Sequence, residues 1–176
     1  MNDPAGWDGI LDAGEDILWQ GRPDGAIHFG VGNLPVVLFG LAFAGFALFW
    51  MVIASQAGGY FWMFGLLHFA VGIGLAFGAI WWDAYKRRHT WYSLTDRRAF
   101  IASDMPLFGR RLKSYPIGAE TALNYTPGSP GAIHFSQEIR RSSSGRHRTV
   151  EIGFEYISEG DTVYALMRNI QKGDAK

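Results

Sequence analysis

The cationic side chains of this sequence are bunched rather than scattered, and bunched cations suit phosphate. Lys86, Arg87 and Arg88 stand together, and Arg110, Arg111 and Lys113 form a second group. Arg140, Arg141, Arg146, His147 and Arg148 flank the run Ser142-Ser143-Ser144-Gly145. Guanidinium forks, hydroxyls and backbone amides all match phosphate oxygens. Each basic residue beside an anionic membrane surface contributes about 1 kcal/mol. A solvated hairpin loop accounts for the same residues, so headgroup binding and a bare polar surface both stay open. Nucleic acid is not indicated, because no aromatic platform interleaves with the arginines.

His68 lies alone in a long apolar stretch, and a polar side chain there needs a partner. Its imidazole can ligate a haem iron or a chlorophyll magnesium, hydrogen-bond to a neighbouring helix or partner protein, or face lipid as a neutral ring. The sequence requires no cofactor. It holds no P-loop, no G-x-S-x-G, no H-E-x-x-H and no close pair of histidines. The carboxylates Asp3, Asp8, Asp12, Glu15 and Asp16 are irregularly spaced in an N-terminal arm whose start has little pattern and reads as mobile. The chain has no cysteine, so these residues offer neither a disulfide nor a thiolate metal site. A catalytic site and a small-molecule substrate are therefore not expected.

The elements that must position these groups divide the chain. Between Pro35 and Trp82 there is no Asp, Glu, Lys or Arg. Two apolar runs, 34–54 and 60–82, flank the break Ser55–Gly59, and each reaches the roughly 20 residues needed to cross a bilayer as a helix. A pair of buried helices in a soluble protein is the alternative, but such helices usually carry a polar stripe. A hairpin puts both flanks on one side. Lys86–Arg88 against an uncharged loop makes that side cytoplasmic, in a multi-pass inner-membrane protein with both termini inside. Trp50, Tyr60 and Trp62 would mark one interface, and Trp81, Trp82 and Tyr85 the other. Small residues four apart, Gly40 with Ala44 and Gly74 with Gly78, predict close helix packing.

Outside the hairpin the period changes. In the arm 1–33, residues 16–22 read as a strand able to dock on the following domain, ended by Gly21-Arg22-Pro23. From residue 86 to 156, short β-branched and aromatic runs alternate with turn formers, predicting an antiparallel sheet or small barrel. Ile133 and Phe135, then Val150, Ile152, Phe154 and Tyr156, mark its inward face. A helix over 159–172 follows, with Ser158 as cap and Asp161 as the reciprocal partner. Thr95-Asp96 favours a tight turn. Arg98 then either pairs with a carboxylate such as Asp96 or Asp83, or faces anionic lipid.

The segment Tyr92-Ser93-Leu94-Thr95-Asp96-Arg97-Arg98-Ala99-Phe100-Ile101, with Gly21-Arg22-Pro23 before the first apolar run, resembles the bacterial pleckstrin-homology-like (PH-like) membrane proteins. The same architecture is similar to that of some purple-bacterial photosynthetic-complex assembly proteins. The resemblance covers nearly the whole chain. It implies an α+β membrane protein, with a two-helix transmembrane hairpin and a cytoplasmic PH-like antiparallel β domain (86–172) closed by its C-terminal helix. It implies no reaction. The expected role is a membrane-anchored interaction or scaffold protein, an accessory subunit or assembly factor of a larger membrane complex, with lipids and other membrane subunits as partners. Peripheral binding of anionic headgroups through the basic groups is the alternative.

Overall fold

The computed structural model describes residues 7, 9–28, 30–106, 108–141, 145 and 147–174. The order of elements is β1 (Ile17–Gly21), α1 (Leu34–Gln56), α2 (Phe64–Arg88), β2 (Thr90–Thr95), β3 (Arg98–Met105), β4 (Gly109–Pro116), β5 (Asn124–Thr126), β6 (Gly131–Arg141), β7 (His147–Ile157) and α3 (Gly160–Lys172). The chain divides into two compact units. One is Gly25–Lys86, and the other joins Met1–Asp24 to Arg87–Lys176.

In the first unit, Pro35 at the start of α1 sits where its missing donor costs nothing. The stretches Leu34–Gln56 and Phe61–Gly78 are long and apolar enough to cross a membrane, and only 17% of each is buried within the chain. A core helix of a soluble protein would be mostly covered. The second helix is displaced from the predicted 60–82. Phe61–Met63 forms a 3-10 turn, and α2 runs on through Trp82 to Arg88. Ala84, Lys86, Arg87 and Arg88 are good helix formers with no breaker among them, so nothing stops the helix at Trp82. The sheet consequently begins at Thr90, not at residue 86.

The two helices touch through small residues. Gly40 and Ala44 are buried as expected, but Gly74 and Gly78 are exposed. Their places are taken by Gly72 and Ala76, because two positions along a helix turn the side chain by about 200°. A Cβ added at Gly40 would lie 2.7 Å from the Gly72 carbonyl oxygen, and one at Gly72 would lie 2.8 Å from the Ala44 Cβ. At the other end of the hairpin from the loop, Asn33 Nδ2 donates to Asp83 Oδ2 at 2.9 Å.

The second unit is built from two antiparallel sheets, ordered β1-β2-β3-β4 and β5-β6-β7. Strand β1, from the N-terminal arm, pairs with β2 in the register Gln20 to Ser93. Tyr92, Leu94 and Ala99 of the first sheet meet Ile133, Phe135, Ile152 and Phe154 of the second, and Val163, Met167 and Ile170 of α3 complete the core. Tyr92 stacks on Phe154 at 4.7 Å, and Phe135 meets Phe154 edge-on at 5.2 Å.

The inward alternation of β7 fails at its end. Tyr156 takes a left-handed φ of 57°, so Ile157 and not Tyr156 enters the core. Ser158 does not cap α3. The N-cap is Glu159 without a side-chain cap bond, and both nearby carboxylates are committed elsewhere. Trp19 Nε1 donates to Glu159 at 2.6 Å and the Tyr125 hydroxyl to Asp161 at 2.7 Å.

Candidate functional site

The basic residues singled out from the sequence do not converge on one site. Lys86, Arg87 and Arg88 occupy the last turn of α2, where cations complement the helix dipole. Lys86 Nζ pairs with Asp83 at 2.7 Å. Arg87 donates to the Asp24 carbonyl at 2.9 Å and stacks over the Tyr156 ring at 4.4 Å. On β4, Arg110 pairs with Asp104 of β3 at 3.0 Å, and Lys113 pairs with Glu138 of β6 at 2.6 Å. Arg111, beside them, is exposed.

Glu138 ties the two sheets together. It accepts hydrogen bonds from Lys113, from the Tyr115 hydroxyl at 2.6 Å and from Arg140 at 3.4 Å. The Lys113 ammonium, then the Tyr115 hydroxyl, holds its carboxyl at about 2 against an ordinary 4.5. Burial, then the neighbouring Glu138 carboxylate, pushes the Tyr115 phenol well above its ordinary value.

The third basic group lies on a hairpin rather than in one long loop, because β6 reaches Arg141 and β7 starts at His147. Arg140 faces Arg148 and Arg141 faces His147 across the ladder. The like charges of Arg140 and Arg148, directly opposite, repel, so that pair does not stabilise the hairpin tip. Ser142–Ser144 and Arg146 lie outside the described residues.

The Thr95–Arg98 turn forms a closed polar cluster whose carboxylate partner differs from both candidates named from sequence. Arg98 pairs with Glu15 and, at 3.2 Å, with Asp12, rather than with Asp96 or Asp83. The Glu15 side chain is fully buried. It also accepts from the Thr95 hydroxyl at 2.6 Å and from the Asp12 amide at 2.9 Å. Burial alone would raise its carboxyl. The bonds from Arg98, Thr95 and Asp12 outweigh that and bring it down to about 2. Arg97 pairs with Asp96 at 3.6 Å and donates to the Gly14 carbonyl. These contacts fasten the arm between Ile10 and Asp16 to the turn, while residues 1–6 and 8, in the start read as mobile, lie outside the described residues.

His68 stands one turn into α2 and close to the middle of the apolar stretch Phe61–Gly78. Its Nδ1 meets the Phe64 carbonyl oxygen of its own helix at 3.1 Å, not a group on α1. The Phe64 and Phe43 rings lie 5.1 and 6.1 Å away. No cluster of three or more His, Asp or Glu able to hold a metal occurs among the described residues.

Sequence reasoning missed a groove of about 510 Å³ in the sheet unit. It lies on the face of the first sheet turned away from the core. Its apolar lining includes Trp7 and Ile10 from the arm and Trp91, Ala102 and Leu112 from the sheet. Arg22 stacks over Trp91 at 4.8 Å. Trp7 also meets Phe100 edge-on at 5.2 Å, leaving Phe100 only 2% exposed although it is outside the main core. The signal was present: Trp91, Phe100, Ala102 and Leu112 are apolar at positions that a solvated face would fill with polar side chains.

Comparison with protein-family models, with curated proteins and with solved structures finds no match to this chain.

Proposed function

We propose that this chain is a non-enzymatic, membrane-anchored interaction protein of the bacterial inner membrane. In this reading α1 and α2 cross the bilayer as a hairpin, and both termini are cytoplasmic. The sheet unit is a PH-like domain that presents a protein-binding surface, as an accessory subunit or assembly factor of a larger membrane complex would. One observation carries the reading: two long apolar helices leave Phe39, Phe46, Phe49 and Leu67 uncovered by the rest of the chain. Only lipid tails or other apolar helices can cover such faces without a large cost. The four- and three-stranded sheets closed by α3 support the PH-like assignment, and Lys86–Arg88 opposite an uncharged loop supports the orientation.

Tethering works by raising effective concentration, so modest contacts to a partner in the same membrane suffice. Protein contact is favoured over headgroup binding through the basic strands, because Arg110, Lys113 and Arg140 already face Asp104 and Glu138. An ion pair satisfied within the chain has little charge left for a lipid surface.

Purification in mild detergent tests the role. The expected result is a defined assembly containing other membrane proteins, well above the 19.6 kDa of the chain. A homogeneous preparation holding only this chain contradicts it.

A further inference from the structure

The outer-face groove of the first sheet carries chemistry that the interaction reading does not use. Its floor and walls are apolar. Trp91, Ala102 and Leu112 are cross-strand neighbours in a row over β2, β3 and β4. Leu112 remains 44% exposed, so the row is only partly covered. The adjoining polar groups are donors. Gln20 Nε2 donates to the buried Ser93 hydroxyl at 3.2 Å, which leaves the Ser93 proton without an acceptor among the described residues. The Arg22 guanidinium lies over the Trp91 ring, 4.8 Å from its centroid, and meets no carboxylate among the described residues. Stacking leaves its N–H edge free to bond an anion. An apolar trough ending in an unpaired cation and a hydroxyl donor is complementary to an anionic amphiphile.

Chain connectivity narrows the source. Trp91 follows the end of α2 at Arg88 by three residues, and Arg22, over its ring, precedes α1 by twelve. A few extended residues reach at most about 10 Å. With the hairpin embedded as proposed above, the Arg22–Trp91 end of the groove cannot be far along the chain from the lipid interface.

We propose that this groove binds a single anionic lipid, its phosphate on Arg22 and Ser93 and an acyl chain along Trp91, Ala102 and Leu112. The inference rests on the membrane placement but not on any protein partner. It places lipid recognition in a shaped pocket, away from the basic residues of β4 and of the β6–β7 hairpin.

The test uses the full chain in nanodiscs with phosphatidylglycerol carrying a photoreactive diazirine in its acyl chain, with the cross-linked peptides mapped by mass spectrometry. Cross-links are expected on β2, β3 and β4 as well as on the spans. Arg22→Glu should reduce the strand cross-links roughly tenfold. Ala102→Trp, which fills the trough without touching the charge, should reduce them comparably, while cross-links to α1 and α2 stay unchanged. A diazirine fatty acid that labels the strands with the same Arg22 dependence supports the same site and identifies a carboxylate as sufficient. Equal strand labelling by diazirine phosphatidylcholine, or strand labelling indifferent to both substitutions, overturns the proposal. So does labelling confined to the spans. Span labelling reports insertion separately, so that last result removes the groove and leaves the membrane anchor standing. Arg22→Gln, which removes the charge and adds no negative one, repeats the charge test if Arg22→Glu folds poorly.

Discussion

Arg98→Met lowers the melting temperature of the sheet unit by roughly 10–20 °C, read by near-ultraviolet circular dichroism of the full chain. The substitution keeps much of the aliphatic bulk over Phe100, whose ring lies 5.1 Å from the guanidinium carbon. It removes the charge that answers Glu15. Breaking a buried ion pair from one side costs about 3–5 kcal/mol, because the other charge is stranded. The lower end applies here, since the Arg98 side chain is 24% exposed while that of Glu15 is fully buried. The loss should be local before it is global. The arm loses its main attachment, so amide exchange in residues 9–16 should rise ahead of exchange in β6 and β7.

Acid acts on the same contact. The Glu15 carboxyl is depressed to about 2 in the folded chain, against an ordinary 4.5. A depressed carboxyl stabilises the fold fully above its unfolded value. That contribution is lost as pH falls from about 4.5 through 2. Glu138, also near 2, adds a loss over the same window. The melting temperature of the native chain should therefore hold steady between about pH 7 and 5 and drop below it. The drop should be smaller in Arg98→Met, where only Glu138 keeps its charged partner.

Gly72→Leu splays the helix hairpin. The added Cβ alone would sit 2.6 Å from the Ala44 amide nitrogen and 2.9 Å from its Cα, both backbone atoms that cannot swing aside. Overpacking of this kind costs about 1–3 kcal/mol, and a leucine against a facing backbone belongs at the upper end. The chain has no cysteine, which gives a background-free readout. Gly65 lies against the Met51 side chain, so a Met51→Cys, Gly65→Cys pair should form a disulfide readily in the native helix pair. Adding Gly72→Leu should cut that yield severalfold. Gly74→Leu, on an exposed face with nothing within 4 Å, should leave it unchanged. Equal yields in the two variants would place the helix contact elsewhere.

The contrast between Gly72 and Gly74 shows where sequence stops being informative. Helix existence was legible because two uncharged apolar runs, each of about 20 residues, are too long for strands. Which glycines face inward was not, because both α2 faces carry small residues and the apolar pattern runs all round. In the sheet unit, strand positions followed from β-branched runs and turn formers, and β1 from Ile17, Leu18 and Trp19 before Gly21. The partner of Arg98 did not follow. Glu15 is 83 residues away in sequence and reaches the turn only because β1 returns to pair with β2. The positive φ of Tyr156 likewise has no local signature, and it shifts the final core position to Ile157. The basic clusters were plain in the sequence; that Arg110, Lys113 and Arg140 would be answered by Asp104 and Glu138 was not, because strand pairing and sheet packing bring those carboxylates alongside. The groove was half legible for a related reason: its sheet lining shows in the strand pattern, whereas Trp7 and Ile10 come from the arm rather than from the sheet.

Surface labelling of single cysteines in intact cells tests the anchoring most directly. Gln56→Cys lies at the end of α1 next to the link between the helices, Ala13→Cys in the arm and Asp174→Cys after α3, and all three native residues are exposed. A membrane-impermeant maleimide should modify the cysteine at 56 in whole cells and reach those at 13 and 174 only after the membrane is broken. Protection at 56 together with labelling at 13 or 174 contradicts the orientation, and recovery of the chain in the soluble fraction contradicts the anchor itself.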